Sequence, residues 1–235
     1  MFELMQSVLL IFIEIMCCKI FFETFGKVRY IGWINVMQYT LLLGSMCLVA
    51  YGLSEHFVIR QIVGIFIFSF FMFWHIKISM KKTFVLTMLY DALLLAMDYL
   101  IYSVNRWFSL SSGLLGKQYQ VERVLLALLA KIILYLLILI IRKWLGKKTI
   151  EMMSDTEWLR FLFFPLFTVV TISAILSVFG YVQTVEQANL LFFIAFGMVG
   201  INFVVFYLIN DVVEREAQMH ENKIFQIQAK NQLEM

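Results

Sequence analysis

With 235 residues, 62% of them hydrophobic and only 15% charged, the chain is too apolar for a water-soluble domain of this length. The formal net charge of +3 is small, and no basic run interleaved with aromatic residues points to nucleic acid. Cys17, Cys18 and Cys47 fall inside apolar runs without Cys/His spacing, so neither a disulfide framework nor a metal centre is expected, and no cofactor motif is present.

Apolar runs of about 20 residues recur seven times with short joints between them. In hydrocarbon a backbone satisfies its own hydrogen bonds only as helices or as a closed barrel, and runs this continuous lack the alternation of barrel strands. The expected fold is therefore an all-α, polytopic transmembrane bundle. Its spans lie near residues 4–22, 31–52, 57–76, 83–103, 122–145, 158–179 and 189–209. The first run is not a removable signal: no Lys or Arg precedes it, Glu14 interrupts it and no small-residue cleavage site follows.

Orientation follows from the basic residues of alternate joints. One set holds Lys27, Arg29, Lys77, Lys81, Lys82, Arg142, Lys143, Lys147, Lys148, Arg215, Lys223 and Lys230, twelve in all, against Arg106, Lys117, Arg123 and the marginal Arg60 in the other. This asymmetry places the N-terminus outside and the C-terminus in the cytoplasm, and an odd number of spans agrees with it.

The joint from Val104 to Gln120 is the longest on the outer side and is apolar for a solvated loop. Its Trp107 and Phe108, with Tyr99, Tyr102 and Tyr181, form either part of an interfacial aromatic belt or the wall of a site for an apolar ligand such as a peptide. On the inner side, Arg142 to Glu157 is a basic cluster followed by acids, suited to topological anchoring and to attraction of anionic headgroups. Asp155 or Thr156, with Glu157, is expected to cap the sixth span. Pro165 should leave the carbonyl of Phe161 without its helical partner and kink that span.

Ionisable side chains inside hydrocarbon are costly and face the bundle interior. Asp91 and Asp98, seven residues apart in the fourth span, share one face about 10.5 Å apart along the axis at ~1.5 Å per residue. Lys131 in the fifth span lies about 13 Å from the outer surface, between Asp98 at about 8 Å and Asp91 at about 18 Å, so either pairing is within reach. Such a pair either locks spans four and five together or rearranges when ligand binds. Glu14 lies near mid-depth in the first span. Asn35, Gln38, Gln61 and Asn202 are expected to be interhelical hydrogen-bonding groups.

Catalytic motifs are not found. Tyr90-Asp91 matches half of an intramembrane aspartyl protease, but no second span offers the partner carboxylate such a dyad needs. His56, His75 and His220 belong to no metal or nucleophile motif. A small transporter, proton-coupled through the acidic face of the fourth span, is the alternative, although no internal repeat with matching helix breaks accompanies it.

After Ile209 the composition changes within one turn. Val213, Ala217, His220, Ile224 and Ile227 recur at spacings of four and three, the seam of a parallel two-stranded coil with Asn231 next in phase; a solvated amphipathic helix has the same pattern. Gly197 and Gly200 in the last span suit close helix approach or a pivot. The chain thus divides into a transmembrane sensor domain, residues 1–209, and a cytoplasmic signalling and dimerisation helix, residues 210–235.

The stretches FIEIMCCKIFFETFGKVR (Phe12 to Arg29), IKISMKKTFVLTMLYDALLLAMDYL (Ile76 to Leu100), LLAKIILYLLILIIRKWLGKK (Leu128 to Lys148) and the tail resemble the membrane module of Agr-receptor-type, GHKL-class peptide-sensing histidine kinases of Firmicutes. The resemblance implies a homodimer in a bacterial plasma membrane, a secreted peptide bound outside, and a tail coil feeding a kinase core and, through it, a response regulator. The chain departs from the family in having no phosphoacceptor motif and no ATP-lid motif, and His220 in QMHENK does not match one. The expectation is thus either the sensor part of a longer kinase or a kinase-less relative. The function expected is a membrane receptor that passes an extracellular signal through its last span to a cytoplasmic dimeric helix.

Overall fold

The computed structural model describes residues 2–54, 56–112, 118–145, 153–179 and 184–233. The described residues form helices α1 (Phe2–Phe25), α2 (Trp33–Gly52), α3 (Phe57–His75), α4 (Met80–Ser112), α5 (Gln118–Trp144), α6 (Asp155–Arg160), α7 (Phe163–Phe179) and α8 (Val185–Leu233). Each of the seven expected spans falls on a helix, α6 and α7 together making the sixth. Six spans are long and apolar enough to cross a membrane. The remaining one, α1, is 24 residues long and carries Glu3, Glu14, Lys19 and Glu23.

Helix α4 is the axis of the bundle, packed against α1, α3, α5, α6, α7 and α8. Every residue from Val85 to Met97 is buried, which requires a helix apolar on nearly all faces; Asp91 is the one carboxylate in that stretch. Helix α2 touches only α1 and α3 extensively and exposes most of its surface.

Two boundaries differ from expectation. The joint from Val104 to Gln120 is not a loop at its ends, because α4 continues to Ser112 and α5 starts at Gln118. Its polar residues Asn105 and Ser109, like Ser103 just before it, are buried, so they serve a packed helix face rather than a turn. The cap before the sixth span is Ser154, not Asp155 or Thr156. Its hydroxyl accepts from the Glu157 N–H, while the Glu157 carboxylate accepts from the Ser154 N–H at 2.7 Å, a reciprocal capping box. The break foreseen from Pro165 lies at Phe161 and Leu162, where α6 ends in tight turns and α7 begins.

One end of the bundle, which carries the basic joints, is tied by backbone pairing between connectors. Val28 and Ile76 form an antiparallel bridge; the Arg29 N–H donates to the His75 carbonyl at 2.8 Å and the Lys77 N–H to the Lys27 carbonyl at 3.0 Å. Beneath it, Phe21 meets Tyr90 and Phe206, and Phe25 meets the fully buried Trp158 edge-on. A Cβ at Gly26 would overlap the buried side chains of Ile76 and Ile78. Gly26→Ala is therefore expected to cost about 1–3 kcal/mol by overpacking, read as a lower thermal midpoint of the detergent-solubilised protein.

Candidate functional site

Where α1, α4 and α5 meet on one flank of the bundle, a polar cluster is built around a buried lysine, with the Asp98 side chain 40% exposed. Helix α4 presents Asp98, α5 presents Lys131 and α1 presents Glu14. The Lys131 ammonium donates to both Asp98 oxygens, at 2.6 and 2.8 Å, and lies 2.8 Å from Glu14 Oε1. Lys131 is 4% exposed, so its charge is compensated by these carboxylates rather than by water. Tyr90 donates its hydroxyl to the Glu14 backbone carbonyl at 2.6 Å, fixing α1 against α4 about two turns along α4 from Asp98.

Asp91 does not join this cluster. Both its oxygens accept from Gln61 Nε2, at 2.9 and 2.8 Å, so of the two pairings open to Lys131 the one with Asp98 is made. Counted inward from the outer ends of their spans, Gln61 and Asp98 stand level; the actual partner of Gln61 lies two turns further along because α4 continues to Ser112 and the helix ends are not flush. Glu14 was not expected to be a partner of Lys131. The signal was present: ten residues into the first span is about 15 Å, against about 13 Å for Lys131.

A second polar link joins α7 and α8: Asn202 Nδ2 donates to Thr168 Oγ1 at 2.8 Å and to the Met198 carbonyl at 2.8 Å. Gln61 and Asn202 thus make the interhelical bonds foreseen for them. Among the described residues, Asn35 Oδ1 and the Gln38 amide have no hydrogen-bond partner, which corrects the expectation for the Gln38 amide and the Asn35 oxygen; both lie on α2, which packs only against α1 and α3 to any extent.

The residues expected to bind ligand are split. Tyr99 packs edge-on to Phe57 and Tyr102, and both tyrosines lie against the small core formed by Ala188 and Leu191. Trp107 and Phe108 pair with each other a helical turn or more beyond, on the exposed end of α4. Tyr181 lies outside the described residues. Two grooves of about 490 and 480 Å³ are found instead on the flanks, one between α1 and α5 with Lys131 in its lining, the other between α3, α4 and α7 with Gln61 in its lining. None of the expected aromatics lines either.

The residues expected to transmit a signal lie on one helix. α8 runs unbroken for 49 residues, about 74 Å at ~1.5 Å per residue. At the change of composition, Asn210 donates to Glu214 at 2.8 Å and Arg215 pairs with Asp211, both one turn apart, contacts that favour helix over a break. Nothing lies within 4 Å of a Cβ placed on Gly197 or Gly200, so within one chain these glycines do not permit a close helix crossing. Val213 belongs to the chain's own core and Ala217 is half-buried, whereas Ile224 and Ile227 are 54% and 60% exposed. The first half of the expected seam therefore faces the bundle, because the face of α8 that carries Phe206 and Ile209 into the core also carries Val213.

No family model, curated protein or solved structure matches the chain.

Within the described residues, Cys17, Cys18 and Cys47 are free thiols and no group of three His, Cys, Asp or Glu side chains is placed to hold a metal ion. The polar groups pair charge with charge and amide with carboxylate, an arrangement that positions helices.

Proposed function

We propose that the chain is the membrane receptor module of a dimeric sensor. Its N-terminus lies outside, an apolar peptide binds at the outer half, and α8 carries the response to a cytoplasmic coil that feeds a histidine kinase core and a response regulator. The observation that carries this reading is the continuity of α8, a single helix from Val185 to Leu233 that leaves the core at Val213 and ends in a stretch with Ile224, Phe225 and Ile227 on its surface. Exposed apolar residues on an isolated helix call for a partner, and a second copy offers the same stripe in register. Ligand acts only through different affinities for two packings of the bundle, and the cluster of Glu14, Lys131 and Asp98 joins the three helices whose relative position would change.

Single cysteines introduced in turn from Val213 to Gln228, in a background without Cys17, Cys18 and Cys47, test the dimer in membranes. Disulfide formation between copies is expected to peak at Ile224 and Ile227, to dip at Asn222 and Gln226, and to be weak at Val213. A flat profile overturns the proposal.

The three intramembrane carboxylates favour one second reading, a proton-coupled transporter, since such groups mark proton paths. Loss of proton-coupled uptake in proteoliposomes on Asp91→Asn would select it over the receptor.

A further inference from the structure

The basic end of the bundle divides its cations into two kinds. Lys82 is satisfied: its ammonium donates to the Met153 carbonyl at 2.7 Å and lies 3.8 Å from Asp155. Lys27, Arg29, Lys77 and Lys81 are not. Among the described residues no carboxylate lies within ion-pair distance of any of them. Arg29 instead sets its guanidinium over the Phe73 ring at 5.4 Å, with one nitrogen 3.5 Å from the Ile76 carbonyl.

The backbone holds these charges together. The hydrogen bond from the Lys77 N–H to the Lys27 carbonyl fixes the two lysines on facing connectors, where like charges opposed across a pair repel. That arrangement is relieved when an anion sits between them. The same two connectors lead into large apolar side chains that contact little protein: Ile31 is 90% exposed, and at the starts of the helices that follow, Trp33 is 82% and Met80 69% exposed. Ile31 and Trp33 flank Gly32, whose positive φ of 84° turns the chain into α2 and leaves both side chains on the outside of the connector. These connectors join the ends of membrane-spanning helices, the depth at which Trp meets the glycerol level and Lys and Arg meet phosphate.

We propose that the α1–α2 and α3–α4 connectors form a seat for one anionic phospholipid. Its phosphate lies among Lys27, Lys77, Lys81 and Arg29, and its upper acyl chains lie against Ile31, Trp33 and Met80. A free phosphate ion would use the cations but leave the apolar side chains without a role, which is why the lipid is the occupant. The site is independent of the receptor reading, since it needs only the bundle in its bilayer.

The full chain, purified in detergent and offered equal amounts of phosphatidylglycerol and phosphatidylcholine, tests this by native mass spectrometry. One phosphatidylglycerol is expected to be retained in preference by about tenfold or more. The preference should vanish in Lys27→Gln/Lys77→Gln/Lys81→Gln and persist in Arg142→Gln/Lys143→Gln, whose basic residues lie at the same end but outside the seat. Lys77→Glu alone, a surface change at an exposed connector, should reduce it severalfold if the triple variant proves unstable. Equal retention of both lipids, an unchanged preference in the Lys77 and triple variants, or displacement of the lipid by inorganic phosphate would each overturn the proposal.

Discussion

Lys131→Met is expected to destabilise the bundle by about 3 kcal/mol or more, the cost of removing one partner from a buried ion pair. The variant would leave Glu14 and Asp98 facing each other across the former ammonium, which is within 2.8 Å of both. Two carboxylates brought this close without a cation repel, and neither has another charged partner among the described residues. The loss should therefore depend on the charges and not on the volume of the side chain. Glu14→Gln/Asp98→Asn/Lys131→Met, which removes all three charges, is expected to recover most of the stability, so that the triple variant unfolds at a higher temperature than the single one. If Lys131→Met alone unfolds like the unmodified protein, the cluster does not hold α1, α4 and α5 together.

The second large effect is expected at Trp158. Its indole is fully buried where α6 meets α1, edge-on to Phe25 in the principal core. Trp158→Ala should cost about 3–5 kcal/mol, combining lost burial with the cavity left behind. Trp158→Phe should cost far less, because a smaller ring keeps an aromatic contact with Phe25. Chemical denaturation in mixed micelles, followed by far-ultraviolet circular dichroism, distinguishes the two. Equal losses in both variants would mean that the full width of the indole, and not an aromatic ring as such, is what the site needs, since the buried indole N–H has no hydrogen-bond partner among the described residues. The effect matters beyond stability, because the same core reaches Val205, Phe206, Ile209 and Val213, the stretch of α8 from which the tail departs.

Much of this architecture was legible in the residues, and the parts that were not have identifiable causes. The spans were legible because hydrocarbon leaves the backbone no hydrogen-bond partner but itself, so an apolar run implies a helix. The ends of α4 and α5 were obscured by Ser and Gly between Val104 and Gln120, which read as a loop, whereas α4 continues into this stretch with Asn105 and Ser109 buried. The pairing of Glu14 with Lys131 leaves no mark in local spacing, because the two residues lie on spans one and five and only their similar depths, about 15 and about 13 Å, relate them. Thr168 was missed for a different reason: a hydroxyl in an apolar helix usually bonds its own preceding turn, as Thr168 does with the Phe164 carbonyl at 3.2 Å, and periodicity gives no sign that it also receives Asn202. The spacing from Val213 marks a stripe, but a stripe does not say what it faces. Its upper part serves the chain's own core and only its lower part is free.

The length of α8 has a mechanical consequence. The helix loses lateral support after Val213, and the 20 residues from Glu214 to Leu233 extend it by about 30 Å at ~1.5 Å per residue. A tilt of about 10° at that fulcrum would sweep the far tip through about 5 Å, close to the pitch of one helical turn. A displacement too small to disturb side-chain packing around Phe206 would thus arrive at the distal end as a sideways movement of about half a helix diameter.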